Sequence, residues 1–144
     1  MRQLDSHRRG VMMKINVEGL SVFAELRGTD RAEQMHQLAQ GVGAEAAIAE
    51  LSLDFVFGKV WSRGGLERKQ RSLITIGILI ALRQTEEMKN HVRAGLRNGL
   101  TLDEIHEAVV HAAPYAGFPA AWAAAIALKD IDADEQSKIT LEKI

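Results

Sequence analysis

The fold is decided by the stretch LERKQRSLITIGILIALR, residues 66–83. It begins with polar and charged side chains and then becomes apolar on every side from Leu73 to Leu82, interrupted only by Thr75 and Gly77. A helix with that pattern lies at the centre of a bundle or is covered by another subunit. The apolar run is too short to cross a bilayer. The stretch therefore predicts the central helix of a soluble, globular protein.

Turn and capping signals divide the rest of the chain into further helices. Thr85 and Thr101 are good N-cap residues, and Glu104 completes a capping box with Thr101. Two glycines bound the segment Gly58–Gly65, which predicts a loop, and Pro114 predicts that its helix kinks or ends there. Because alanine and leucine dominate, we predict an all-α bundle of about six helices, over residues 30–40, 44–57, 66–83, 85–98, 101–114 and 120–131.

The predicted helices define one domain with a segment on either side. The helical domain covers residues 29–131. Residues 1–28 show only weak periodicity, which Gly28 stops, so their structure is left open. Residues 132–144 form a charged, polar tail that we expect to be frayed. A chain of 144 residues has room for one domain with a real core.

The composition excludes several classes of function. The formal net charge is -1 and no basic block stands out, so nucleic-acid binding has no electrostatic support. There are no cysteines, which excludes disulfides, thiolate metal sites and thiol redox catalysis. Residues 1–14 are polar and lack the apolar stretch of a secretory signal. We therefore expect a cytoplasmic protein that binds neither nucleic acid nor membrane.

Two histidines are the first candidates for chemistry. His91 lies on the apolar stripe of its helix with Met88 and Val92, so it is either a satisfied core residue or a functional one. A carboxylate at Glu107, four residues before His111, could raise the pKa of that histidine and orient its ring. The alternative is a solvated polar face. That face has four residues spaced by three or four: Glu104, Glu107, His111 and Tyr115.

Residues around the central helix form a second group of candidates. Arg71 adjoins the most apolar helix, and a partly buried guanidinium needs an anionic partner. That partner is either a structural glutamate or the carboxylate of a substrate. Arg63 lies in the predicted loop with Trp61, a residue type that is more often core than ligand platform. The histidine spacing matches no recognised zinc pattern, and we expect no bound metal.

Several strings between residues 57 and 121 match a known family. They are FGKVWSR and GLERK, residues 57–63 and 65–69, then RSLIT, residues 71–75, HVRAGLRNGLT, residues 91–101, and HAAPYAGFPAA, residues 111–121. The sequence resembles the carboxymuconolactone decarboxylase family, in order and without gaps over about residues 50–130, and most closely its decarboxylase branch. The resemblance implies an alkylhydroperoxidase-D-like helical fold. Gly64, where that branch usually has proline, and Arg83-Gln84, in place of a small-residue turn, depart from the pattern.

The other branch of this family holds peroxidases with a Cys-x-x-Cys pair before the histidine that is equivalent to His91. The equivalent positions here are Gln84 and Glu87. Peroxide reduction through a cysteine pair needs a thiolate nucleophile. The chain is therefore not expected to be a thiol peroxidase.

The resemblance implies a carboxy-lyase that needs no cofactor and decarboxylates a carboxylated unsaturated lactone, in the protocatechuate branch of aromatic degradation. We expect His91 to be the general acid, and His111 and Tyr115 to be oxyanion donors or positioning groups. Substrate binding is assigned to four residues: Trp61, Arg63, Arg71 and Glu87. The alternatives are a related lactone- or quinone-processing enzyme and a non-catalytic oligomeric binding protein.

Two expectations concern how these residues assemble. We predict that His91 and His111 lie on adjacent helices and meet in one cleft, with Arg63 or Arg71 close by. We also predict a homotrimer, or a hexamer built from trimers, because one small chain can cover only part of the Leu73–Leu82 surface. The alanine-rich helix after Pro119 adds small residues that allow close helix packing. The resemblance points the same way, with sites near subunit contacts.

Overall fold

The structure is a computed structural model and describes residues 15–141. Helices account for nearly all of this range. Within that range there are seven α-helices, one π-helix and no strand. In chain order they are α1 (Val17–Arg27), α2 (Thr29–Ala39), α3 (Ala44–Leu51), the π-helix (Ser52–Trp61), α4 (Arg68–Ala81), α5 (Thr85–Arg97), α6 (Leu102–Ala116) and α7 (Phe118–Leu141). The all-α prediction is confirmed.

The chain divides into two compact units. The first combines the described residues up to Ala24 with Gly28–Ser62, and the second combines Glu25–Arg27 with the chain from Arg63 onwards. Residues 1–14 of the predicted N-terminal segment and residues 142–144 of the predicted tail lie outside the described residues. None of the described helices combines the length and apolar character needed to cross a membrane.

The first unit brings α1 and the π-helix into close contact at a glycine. A methyl group at Gly19 would overlap the carbonyl oxygen of Leu53, so only glycine allows this approach. Phe23 and Phe57 meet edge to face with their ring centroids 4.9 Å apart. Asn16 caps α1, because its side-chain oxygen accepts a 3.0 Å hydrogen bond from the amide of Gly19.

The prediction of a loop over Gly58–Gly65 is wrong for its first half, because the π-helix extends to Trp61. Trp61 is the last helical residue and is buried, so the first half of that segment is helical. The physical reason is an apolar face, since Leu53, Phe57 and Trp61 are all buried at four-residue spacing. The chain remains helical through Gly58 because this face continues beyond it.

Helix α4 is the central element of the second unit, as predicted. It contacts α5, α6 and α7, and its side chains at Ser72, Ile76 and Ile80 are buried at four-residue spacing. Its other side is open, with Ile74 and Ile78 half exposed. The helix is therefore apolar all round but covered on one side only.

The connection from α4 to α5 contains an unusual backbone. Arg83 has a φ of 57°, in the left-handed region that a residue other than glycine rarely adopts. The amide of Gln84 then donates to the carbonyl of Leu79 at 3.0 Å. This geometry makes Gln84 the N-cap and Thr85 the first helical residue, so the predicted N-cap at Thr85 is wrong by one position.

The ends of α6 and α7 also refine the predicted boundaries. The capping box is present, because the Glu104 amide donates to the Thr101 hydroxyl at 3.1 Å and the Thr101 amide to the Glu104 carboxylate at 2.9 Å. Helix α6 continues past Pro114 and ends at Gly117, whose φ is 94°. Pro114 has no amide hydrogen to donate to the carbonyl of Val110, yet the helix continues for two residues beyond it. Helix α7 continues to Leu141, beyond the predicted end at residue 131.

Candidate functional site

A cluster of three polar side chains lies where the end of α1 meets α5. Nη2 of Arg27 donates to Oε1 of Glu87 at 2.8 Å and lies 3.3 Å from Nε2 of His91. Glu87 and His91 are four residues apart on α5, so they share one face of that helix, and Oε1 lies 3.4 Å from Nε2. One guanidinium nitrogen therefore contacts both members of the pair.

The cluster holds His91 in its neutral form. The imidazole is only 12% exposed. Burial, reinforced by the positive charge of Arg27, lowers the pKa of His91 from 6.5 to about 4, although Glu87 opposes the shift. An arginine side chain only donates, so its contact with Nε2 requires a lone pair on that nitrogen. At neutral pH the resting His91 is thus an uncharged imidazole whose Nε2 faces a guanidinium.

Glu87 remains ionised in the same cluster. Burial raises the pKa of its carboxyl, but the hydrogen bond from Asn90 and the neighbouring Arg27 outweigh burial and hold the pKa below its usual value. The Asn90 side-chain amide donates to Oε2 at 3.0 Å. Glu87 therefore serves as a fixed anion that orients both Arg27 and His91.

The buried neutral imidazole predicts that stability depends on pH. The pKa of His91 is lower in the folded protein than in the unfolded chain, so the unfolded chain binds more protons between about pH 4 and pH 6.5. The free energy of unfolding should fall by up to about 3 kcal/mol from this group as the pH drops through that window. Urea unfolding of the wild type and of His91→Gln at several pH values measures the contribution as the difference between the two curves. Parallel curves would show that His91 is not held neutral.

His111 and Tyr115 lie in a groove between α4 and α6. The groove has a volume of about 840 Å³. The two rings stand side by side, with centroids 5.3 Å apart, and Tyr115 is 80% exposed. The predicted polar face of α6 lines this groove with apolar residues of α4; the lining comprises Leu73, Ile74, Gly77, Ala81, Asp103, Glu104, Glu107, Ala108, His111, Ala112, Tyr115 and Ala116.

The structure therefore places the predicted site residues in different surroundings. His91 and Glu87 come together with Arg27, whereas His111 and Tyr115 come together in the groove, whose lining does not include His91. The predicted cleft shared by the two histidines is not formed in that groove. Its lining contains neither of the predicted arginines, Arg63 and Arg71.

The structure shows Arg71 in a contact that the sequence did not predict. Its Nη2 donates to the backbone carbonyl of Arg63 at 2.9 Å, so the described contact is with the main chain rather than with a glutamate. The Nε of Arg71 is buried and has no hydrogen-bond partner among the residues that the structure describes. Arg63 itself is exposed. Trp61, in the other unit, is buried and core-like.

Arg27 is the site residue that the sequence did not reveal. It lies directly before Gly28, in the segment 1–28, for which the sequence predicts no definite secondary structure. Its partners are 60 and 64 positions away, so no local spacing connects them. The only sequence signal was an acidic residue, Glu87, beside an inward-facing histidine.

Comparison with known proteins gives three matches. A family model described as "Carboxymuconolactone decarboxylase family" matches residues 46–130. The 4-carboxymuconolactone decarboxylase of Acinetobacter baylyi is 50% identical over 70 residues, 49% of this chain and 52% of that protein. The nitrosuccinic acid decarboxylase of Metarhizium robertsii is 39% identical over 102 residues, 71% of this chain and 70% of that protein. The chain thus spans about half the length of the first relative and more than two thirds of the second.

Proposed function

Because this chain belongs to the carboxymuconolactone decarboxylase family, we propose that it is a cofactor-free carboxy-lyase acting on a carboxylated unsaturated lactone similar to 4-carboxymuconolactone. The proposal includes a cytoplasmic role in aromatic-compound degradation. The observation that carries it is the Arg27–Glu87–His91 cluster. In this cluster the guanidinium of Arg27, a cation, directly contacts the imidazole of His91, a group that can transfer a proton. A carboxylate substrate and a carbon that must be protonated require these two groups.

The reaction places definite demands on the site. When the carbon–carbon bond to the carboxylate breaks, carbon dioxide leaves and the electron pair spreads through the ring double bond onto the lactone carbonyl. A ring carbon then takes up one proton, and the lactone carbonyl is restored. The guanidinium of Arg27 suits the binding of a carboxylate, and we assign proton delivery to His91. Glu87 acts by orienting both groups.

The remaining predicted residues keep narrower roles in the proposal. His111 and Tyr115 offer an imidazole and a phenol beside an apolar wall, a chemistry that suits the stabilisation of an oxyanion, but they line a groove that does not include His91, so we do not assign them to the substrate that His91 protonates. Arg71 orders the backbone at Arg63 through its 2.9 Å contact, so we assign it the shaping of that loop. Trp61 and Arg63 are retained as substrate-binding candidates on the family resemblance.

A second substrate class is favoured by the longer of the two relative matches. That relative is named as a decarboxylase of nitrosuccinic acid and aligns with 71% of this chain. A nitro group, like a conjugated lactone carbonyl, accepts the electron pair that decarboxylation leaves. The same cation and proton donor would serve either substrate.

The test is a parallel assay of carbon dioxide release from 4-carboxymuconolactone and from nitrosuccinate. Release from the lactone alone supports the first candidate, and release from nitrosuccinate alone supports the second. If the purified protein releases carbon dioxide from neither compound, the proposed function is wrong.

We also propose that the protein assembles as a homotrimer or a hexamer of trimers. Five large apolar side chains on the described parts of α4 and α7 are at least half exposed: Ile74, Ile78, Phe118, Trp122 and Ile126. Side chains of this size on a single chain favour burial against a second copy.

Light scattering across a dilution series should show a mass of at least three chains. Trp122→Glu should lower that mass, because it places a charge in the buried contact, whereas Lys129→Glu, at an exposed polar position on α7, should leave it unchanged. A stable and active species at the monomer mass of 15.9 kDa would contradict the proposal.

A further inference from the structure

The resting cluster conflicts with the task assigned to His91. An acid must carry the proton that it delivers, yet the buried His91 is neutral and its Nε2 faces the guanidinium of Arg27 at 3.3 Å. A proton on Nε2 would point at a cation. The site therefore needs an event that removes Arg27 from His91 before the acid can form.

We propose that Arg27 is a substrate-operated switch: the substrate carboxylate draws its guanidinium away from Nε2 of His91, and His91 then takes a proton that it shares with Glu87. The inference rests on the proposed decarboxylase function and deepens it. It makes Arg27 both the carboxylate-binding residue and the control of the general acid. The ligand class that operates the switch is a carboxylate.

The geometry of a guanidinium explains why a carboxylate must compete with His91. Two parallel N–H groups are offered by only two edges, the Nε/Nη2 edge and the Nη1/Nη2 edge. Both edges include Nη2, the nitrogen that contacts Glu87 at 2.8 Å and Nε2 of His91 at 3.3 Å. A carboxylate that binds in the bidentate manner therefore recruits a hydrogen of Nη2. The longer and weaker of the two existing contacts, the one to His91, is the one that yields.

The charges of the cluster support proton uptake at the same moment. At rest Arg27 is positive, Glu87 negative and His91 neutral, so the cluster has no net charge. A bound carboxylate adds one negative charge, and a proton on His91 cancels it. With Arg27 withdrawn, Oε1 of Glu87, 3.4 Å from Nε2, is the acceptor for the new N–H.

Several other charged groups near α5 pair with groups other than His91. Helix α5 is packed by α4 and α7 as well as by the end of α1. On these elements Asp130 pairs with Lys89, Lys69 with Glu104, Arg68 with Glu25, and Arg71 with the carbonyl of Arg63. Among the described residues, the charged groups that contact His91 include Arg27 and Glu87.

The switch also balances the reaction. The protein takes one proton from solvent as the carboxylate binds. Breakage of the carbon–carbon bond releases carbon dioxide, and the imidazolium of His91 gives its Nε2 proton to the carbon that receives the electron pair. His91 becomes neutral again, and Arg27 returns to Nε2 when the product leaves.

Nuclear magnetic resonance titration of the His91 ring tests the switch without turnover. Succinate is the probe, because it has two carboxylates and no group that accepts an electron pair on decarboxylation. In the wild type, succinate should raise the pKa of His91 from about 4 to about 5 or higher, whereas sodium chloride at equal ionic strength should not. An unchanged pKa at high succinate concentration overturns the proposal.

Variants separate the switch from a simple charge effect. Arg27→Gln should raise the pKa of His91 in the free protein and abolish the response to succinate, while Arg31→Gln, at an exposed position on α2, should behave as the wild type. Arg27→Lys, which keeps the charge but lacks the forked donors, should keep the low pKa and lose most of the response, and it serves if the glutamine variant fails to fold. A full succinate response in either Arg27 variant overturns the switch.

The same samples distinguish this proposal from the proposed function. Carbon dioxide release with no succinate effect on His91 would leave the decarboxylase intact and remove the switch. A succinate effect without carbon dioxide release from either substrate would remove the decarboxylase and retain a carboxylate-linked proton switch.

Discussion

Replacement of His91 by glutamine is expected to lower kcat about 10²- to 10⁴-fold on the compound that the protein decarboxylates, with little change in KM. Glutamine fills a similar volume and keeps a polar contact with Arg27, but it cannot carry and release a proton near neutral pH. The carboxylate still binds to Arg27, so binding is largely retained. The loss therefore falls on the step that protonates carbon.

His106→Gln is the matched control for this variant. His106 is exposed on α6 and its Nε2 lies 3.1 Å from Oδ1 of Asp132, away from the cluster. Its replacement should leave kcat within about twofold of the wild type, since surface changes of this kind cost little. Steady-state carbon dioxide release measures both variants. A normal rate in His91→Gln would show that another group delivers the proton.

Gly19→Ala should destabilise the protein by about 3 kcal/mol, the largest stability effect that we expect from a single methyl group. The added carbon would overlap the carbonyl oxygen of Leu53, which is part of the backbone and cannot rotate away. Helix α1 would have to shift, and the edge-to-face contact between Phe23 and Phe57 would be lost with it. Urea unfolding followed by circular dichroism measures the change.

Gly64→Ala provides the comparison for that measurement. A methyl group at Gly64 meets nothing within 4 Å, and its φ is not positive, so the free energy of unfolding should change by less than about 0.5 kcal/mol. Equal stability of the two variants would mean that α1 and the π-helix do not approach as closely as the structure shows.

Local patterns predicted those parts of the fold that local chemistry controls. The capping box at Thr101 and Glu104 and the apolar run of α4 depend on neighbours within a few positions, and both are present. The π-helix was missed because Gly58 signals a turn, and only the burial of Phe57 and Trp61 keeps the chain helical there. Tertiary packing overrides a local signal at that point.

The site was predictable in the same partial way. Glu87 and His91 are four residues apart and share a helix face in the structure, but the sequence analysis did not use that spacing to pair them. The same spacing did place Tyr115 beside His111, but spacing carries no information about depth, and Tyr115 is 80% exposed. Arg27 was out of reach, since its contact with Glu87 depends on how distant helices pack.

The left-handed backbone conformation of Arg83, between α4 and α5, affects which substitutions this protein can accept during evolution. A residue with a side chain loses roughly 1–2 kcal/mol in that backbone conformation, and glycine does not. Every arginine codon is one base change from a glycine codon. A single mutation, Arg83→Gly, would therefore relieve this backbone strain and raise the free energy of unfolding, which makes the strain a reserve of stability. Such a reserve can offset a destabilising change elsewhere, and it widens the set of substitutions around the Arg27–Glu87–His91 cluster that the fold tolerates as substrate preference evolves.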